Sequence, residues 1–446
     1  MKTFVAVTVL LLSSLLQCCV SLLGALSTKS CRAGLTKMVR SDECMVPKSP
    51  RENEKMNPGA CILAAASAGL SFTSVSFASD KISDDETLKK YKDSERGDDF
   101  DKDLGLPRDA YSVIDGMRSC KIVNGMWQVS GAHGYQPSVE NSVSDMTKLA
   151  NSGFTSFDLA DIYGPAEGYV GSFTKGPQSS AISRDCRFFT KWVTGSSSAP
   201  VTRQIASAAI DRSLERMRTD RIDLLQFHWW DYSNKNYYAA MNELMRIQQD
   251  GKIRSLGLCN FDTKHMLDLV EQEAPIVTNQ VSFSILDTRP LEEMIPACKK
   301  HNIQLLVYGV LLGGFLSENW LDKPEPISEK LTNVSLRKYL PWIKLWGGWG
   351  KFQVLLKTLK EIANKHQVSL SNVAMRWVLQ QEQVAGLLIG VRFGLKDHDH
   401  IVDNKKLFSF SLDTDDMAKI ESVRSSGINL KSAFGDCGGE YRRRSA

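Results

Sequence analysis

From about Tyr111 onward, short apolar runs alternate with longer stretches whose apolar positions recur at helical spacing. The runs read as strands at 122–128, 154–157, 187–192, 222–228, 253–258, 276–283, 303–308 and 386–391. Between them lie helical patterns, the clearest at 202–217, where Ile205, Ala209, Leu214 and Met217 fall roughly on one face. Strands that alternate with helices at this interval predict an α/β fold, a (β/α)8 TIM barrel. A doubly wound sheet is the alternative, but no GxGxxG follows the first strand. A long insertion after strand 7, residues 316–350, is rich in Trp, Pro and Gly, and a helical hairpin precedes the last strand. The aromatics Trp320, Tyr339, Trp342, Trp346 and Trp349 are expected to form a satellite core there.

The first 110 residues lack this rhythm. Lys2 precedes an apolar run, 4–16, placed as the h-region of a signal peptide, with small residues near Gly24-Ala25 for cleavage. A Ser-, Lys-, Arg- and Pro-rich stretch follows, then a second apolar run, 60–77, ending Ser76-Phe77-Ala78. The resulting division is a signal peptide at 1–25, a transit-like segment and linker at 26–110, the barrel at 111–425 and a C-terminal tail at 426–446. This front end resembles a bipartite plastid presequence of the algal type. Secretion or an endomembrane lumen is the alternative, and the second run also reads as an inner-compartment transfer signal or an ordinary helix. Neither run predicts a stable membrane span in the mature protein.

Composition narrows the function classes. The chain has 446 residues, 42% hydrophobic and 24% charged, which suits a globular protein. A net charge of +4, with no basic stripe interleaved with aromatics, argues against a nucleic-acid partner. The ten cysteines show neither metal-ligand spacing nor a dense disulfide framework, so reduced thiols and no metal are expected.

In a barrel of this kind, catalytic side chains gather at the C-terminal ends of the strands. The stretch GFTSFDLADIYG delivers Asp158 at a strand end and Tyr163 five residues on, before Gly164-Pro165 turns the chain into a helix; Glu167 follows. The next two strands end on Lys191 and His228. An ammonium beside a phenol favours its ionisation, a carboxylate holds that lysine charged, and a neutral imidazole can orient a carbonyl oxygen. Singly, each residue is as well explained by capping, ion pairing or core packing; the four together point to proton donation.

The motifs FDLADIYGPAE, FFTKW, DLLQFHWW, GKIRSLGLCNF, TNQVSF, VYGVLLGG and the late IGVR…DN, in this order, resemble those of aldo-keto reductases over about residues 111–424. The resemblance implies NADPH as cofactor and a small-molecule carbonyl compound as substrate. It implies Tyr163 as general acid, tuned by Asp158 and Lys191, with His228 positioning the carbonyl. It places Cys259, Asn260 and Gln280 at the nicotinamide carboxamide and Tyr308 against the nicotinamide ring. Gly309 and Leu311 would pass near the pyrophosphate, and Arg392, Lys396, His400, Asp403 and Asn404 would hold the adenosine end. Trp127 and Trp229 would wall the substrate pocket, and the 316–350 insertion could fold over the cofactor. Cys259 and His400 stand where many members have Ser and Arg, so recognition of the 2′-phosphate would rest on Arg392 and Lys396. Two other readings fit the same residues. One is an NADP-binding redox-sensing subunit with little turnover; the other is a sugar or polyol dehydrogenase working in the oxidative direction.

Overall fold

The computed structural model describes residues 102–195, 199–396 and 400–442. The signal peptide and nearly all of the transit-like segment expected at 1–110 lie outside these residues. Eight parallel strands close into a barrel. In chain order they are β3 Ile122–Gly125, β4 Ser156–Asp158, β5 Arg187–Val193, β6 Ile222–His228, β7 Ile253–Cys259, β8 Ile276–Ser282, β9 Gln304–Tyr308 and β10 Val384–Gly390. Strand β10 pairs with both β3 and β9, which completes the ring.

Each strand is nearly continuous in apolar residues because one side faces the barrel interior and the other the surrounding helices. Phe157, Phe188 and Phe173 pack outside β4 and β5, where Phe157 and Phe188 stack with centroids 5.8 Å apart. Val123, Phe189, Leu224, Leu306 and Ala385 fill the lower interior. An antiparallel hairpin, β1 Tyr111–Ile114 and β2 Met117–Cys120, covers that lower end. Its turn is Asp115-Gly116, both at positive φ (47° and 71°), the geometry that an Asp-Gly pair supplies most readily. Ile114 and Met117, fully buried, join the lower cluster, and Asp115 accepts a hydrogen bond from Ser255 Oγ at 2.6 Å.

Element bounds differ from the sequence expectation in ways that matter at the upper end. The first barrel strand stops at Gly125, and Met126–Val129 forms a 3-10 turn that lifts Trp127 out of the sheet. The last strand begins and ends earlier, at Val384 and Gly390. The insertion is substantially helical. Val334–Trp346 is one helix, and Gly348–His366 begins within the insertion and runs on as a second. Phe315, Trp320, Trp349 and Phe352 do form an aromatic cluster, with Phe315 and Trp320 centroids 4.8 Å apart. The helix Val334–Trp346 leaves that cluster and reaches the barrel mouth, where its residues Leu336, Lys338 and Tyr339 line the central cavity.

Candidate active site

Strand register sets the site. At the upper rim Gly125 pairs with Asp158, Lys191 with Gln226, His228 with Cys259, Cys259 with Gln280 and Ser282 with Tyr308. Period-2 alternation then turns Leu224, Gln226 and His228 of β6 inward, one above another.

At the centre, Lys191 Nζ donates to Asp158 Oδ2 at 2.5 Å and to the Leu159 carbonyl at 2.7 Å, with both ionic groups nearly inaccessible to solvent. The other carboxylate oxygen accepts from Gln226 Nε2 and Gln280 Nε2, each at 2.8 Å, and Gln280 also donates to Gln226 Oε1 at 2.7 Å. The buried carboxylate is therefore compensated on both oxygens, the condition under which a buried ion pair is tolerated. The same ammonium lies 4.9 Å from the centroid of the Tyr163 ring.

Tyr163 comes from the loop after β4, positioned by a tight turn at Gly164. That glycine has φ 54°, and a Cβ there would lie 2.7 Å from the Ser130 carbonyl oxygen, so a side chain is excluded. Burial pushes the Tyr163 phenol up to about 12, and the Lys191 charge offsets this only in part. The sequence had suggested that the lysine would prevail; in the folded site desolvation does, and the phenol holds its proton at neutral pH. Glu167, buried, accepts from Thr190 Oγ1 at 2.7 Å and from Arg216 at 3.2 Å, tying the helix Ala166–Lys175 to β5.

His228 lines the same cavity as Tyr163. Its Nδ1 lies 3.5 Å from Asn260 Nδ2, and its buried Nε2 has no hydrogen-bond partner. The Asn260 amide stands beside Nδ1, a hydrogen bond to the Cys259 backbone helps hold the ring, and Nε2 is covered by protein. Burial and the nearby Arg442 and Lys191 charges lower this imidazole to about 4, so it is neutral at pH 7.

The cavity, about 740 Å³, is lined by Trp127, Asp158, Tyr163, Lys191, His228, Cys259, Asn260, Gln280, Tyr308, Gly309, Leu311, Arg392 and His400, among others. A second cavity of about 280 Å³ continues past β10, sharing Ile389, Gly390, Arg392 and His400 and adding Lys148, Lys396 and Asn404. Asp403 lies elsewhere: its carboxylate accepts from Ser369 and Asn372 at the start of the helix Leu370–Leu379. Among the described residues no group of acidic, His and Cys side chains is arranged to hold a metal, and no helix is long and apolar enough to cross a membrane.

One pocket residue is displaced by one position. Trp229 is not part of the cavity wall; its indole N–H donates to the Asp231 and Asn234 carbonyls, and its ring packs on Phe227 and Tyr237. Trp230 takes its place, edge-on to His228 with centroids 4.4 Å apart and lining the cavity. The change from strand to loop after His228 makes the difference, because alternation fixes sides only within the strand.

Sequence reading also missed Gln226, Lys338 and Tyr441. Gln226 carried a signal, a polar residue at an inward position of an apolar strand two before His228. The tail, given no role, folds across the mouth. Asp436 accepts from the Thr263 amide at 2.7 Å, and Glu440 accepts from Arg289 at 2.8 Å and from Tyr308 at 3.1 Å. Arg442 donates to the Asn260 carbonyl and to Tyr232. The Tyr308 hydroxyl also lies 2.7 Å from Asn260 Oδ1 and shares its single proton between that oxygen and Glu440, so the two residues expected at the nicotinamide are joined to each other and to the tail.

Comparison with known proteins adds an independent line. A family model, that of the Aldo/keto reductase family, matches residues 121–425. Glyoxal reductase of Bacillus subtilis is 29% identical over 285 residues, 64% of this chain and 84% of that protein. Flagellar radial spoke protein 5 of Chlamydomonas reinhardtii is 28% identical over 223 residues, 43% of this chain and 41% of that protein. Among solved structures, the glycerol dehydrogenase AKR11B4 of Gluconobacter oxydans superposes with a TM-score of 0.58 at 24% identity, covering 73% of this chain and 97% of that one, a likeness of fold.

Proposed function

Since the chain belongs to the Aldo/keto reductase family, we propose that it uses NADPH to reduce the carbonyl group of an aldehyde or ketone, with Tyr163 as proton donor. The observation that carries this is that Tyr163 and His228 line one cavity, with Tyr163 protonated and standing beside the Asp158–Lys191 pair.

The residues present fit the dinucleotide. The two cavities share Ile389, Gly390, Arg392 and His400 as a common wall, with Tyr308 lining the first and the cations Arg392, Lys396 and Lys148 lining the second. Asn260, Gln280 and Tyr308 would hold the nicotinamide end, and Arg392 with Lys396 would favour the 2′-phosphate. When bound, the reduced nicotinamide supplies hydride.

The neutral His228 imidazole orients the carbonyl oxygen, and Tyr163 gives that oxygen its phenolic proton. The phenolate left behind is stabilised by the Lys191 ammonium, which Asp158 keeps charged, and regains its proton from solvent.

The test follows loss of reduced-nicotinamide absorbance over a panel of carbonyl compounds, with NADPH and with NADH. Tyr163→Phe retains the ring and removes the acidic hydroxyl, so turnover is expected to fall by about 10²–10⁴-fold while NADPH binding, followed by its fluorescence, is kept. An active Tyr163→Phe protein would end this reading. A second reading, a dinucleotide-binding subunit with little turnover, draws support from the likeness to a flagellar radial spoke protein. Tight NADPH binding without reduction of any carbonyl compound by the wild type would select it.

A further inference from the structure

Of the charged groups at the catalytic end, Asp158, Lys191 and Arg289 have counter-charges, while Arg442 and Lys338 make no ion pair within 4.0 Å among the described residues. Asp158 is matched by Lys191, and Arg289 is matched by Asp287 at 2.7 Å and Glu440 at 2.8 Å. Arg442 donates from Nη2 to the Asn260 carbonyl and the Tyr232 hydroxyl, its Nε and Nη1 have no partner among the described residues, and it does not line the cavity. The one of these two that lines the cavity is Lys338, from the helix Val334–Trp346. Its ammonium donates to the Tyr441 hydroxyl at 2.5 Å and makes no ion pair within 4.0 Å among the described residues.

Its other neighbours are aromatic. Nζ lies 4.8 Å from the centroid of Tyr441, 5.1 Å from those of Tyr308 and Tyr339, and 5.9 Å from that of Trp342. Rings partly replace water around a cation but accept none of its protons, and an ammonium has three to give. Lys338 is half-buried and lines the cavity. Desolvation lowers it to about 8, against the pull of Glu440 and Asp287, with Arg289 adding to the lowering; it remains charged at neutral pH. Tyr441, its one partner, stands edge-on to His228 with ring centroids 6.4 Å apart. The lysine is thus one tyrosine away from the imidazole that would orient a carbonyl.

We propose that Lys338 is a specificity-determining residue that holds the carboxylate or phosphate of an anionic carbonyl substrate. An acid oxygen entering the cavity would receive a charge-assisted hydrogen bond from an ammonium that now has only a hydroxyl and rings. The cofactor's own phosphates are the other source of negative charge. Lys338 does not line the second cavity, where Arg392, Lys396 and Lys148 already stand, and its contacts lie on the Tyr441 and His228 side.

This inference rests on the carbonyl-reductase reading, and the test keeps the two apart. Wild type, Lys338→Met and Lys338→Arg are compared on benzaldehyde and 4-carboxybenzaldehyde with saturating NADPH, and by calorimetric titration of the NADP+-loaded protein with the unreactive anion terephthalate. In Lys338→Met the ratio of kcat/KM for the anionic aldehyde to that for the neutral one is expected to fall about ten- to a hundred-fold, through KM. Lys338→Arg is expected to restore most of it, and terephthalate binding is expected to weaken in Lys338→Met alone. Equal losses on both aldehydes would assign Lys338 to holding the tail and overturn the proposal. A loss confined to NADPH affinity would assign it to the cofactor, with the same result. If the wild type reduces neither aldehyde nor any other carbonyl compound of the panel, the reductase reading falls, while terephthalate binding still reports on Lys338 by itself.

Discussion

Burial keeps the His228 imidazole neutral far below the pH at which histidine ordinarily takes up a proton. Its folded-state value, about 4, lies below the ordinary 6.5, so between these limits the unfolded chain binds the proton and the folded chain does not. Stability therefore falls as pH drops from about 6.5 to about 4 and levels off below. The size follows from the shift, about 3 kcal/mol at most. His228→Gln lacks this contribution, so the stability gap between variant and wild type is expected to move in the variant's favour by up to that amount between pH 7 and pH 4. Urea midpoints measured for both proteins across that range check it; parallel curves would mean that the imidazole is not desolvated as described. At this scale the sequence was informative. Asp158, Tyr163, Lys191 and His228 stood out because strand ends are where a barrel puts its chemistry, and the structure brings them to one cavity. Trp229 was misplaced, and Trp230 overlooked, because one residue past a strand end the alternation that assigns sides no longer applies.

Strand β6 illustrates what an element contributes beyond its terminal residue. Leu224 packs in the lower interior, Gln226 braces the Asp158 carboxylate, and His228 faces the cavity. Replacing Gln226 with Leu keeps the volume but removes the hydrogen bond to Asp158 Oδ1 and the acceptor for Gln280. Leaving those buried groups short of partners is expected to cost about 1–3 kcal/mol, read as a lower denaturation midpoint. A variant as stable as wild type would show that Gln280 alone suffices for Asp158. Periodicity made the strands and flanking helices legible, since each buries one repeating side. It could not show where the helix Val334–Trp346 leads, because the aromatics that fill its satellite cluster give the same pattern as a face packed on the barrel. The tail was less legible still. Its partners Thr263, Arg289, Tyr308 and Lys338 lie roughly a hundred or more residues upstream, and no local pattern records contacts at that range.

For the molecule as a whole, the barrel strands, the hairpin beneath them and every residue of the site come from position 111 onward. A chain beginning at Asp80 is accordingly expected to fold and to match the full-length protein in turnover and melting temperature. An insoluble product, or an inactive one beside an active full-length chain, would show that the preceding residues take part in the fold. The hairpin has a consequence of its own. Ile114 and Met117 stop the lower end of the barrel, while the insertion helix and the tail crowd the upper. A cavity with a packed floor, entered from one side, imposes a queue. Of two ligands that must lie one above the other, the deeper has to enter first and depart last, so the order of arrivals and departures is set by the shape of the container before any affinity is considered.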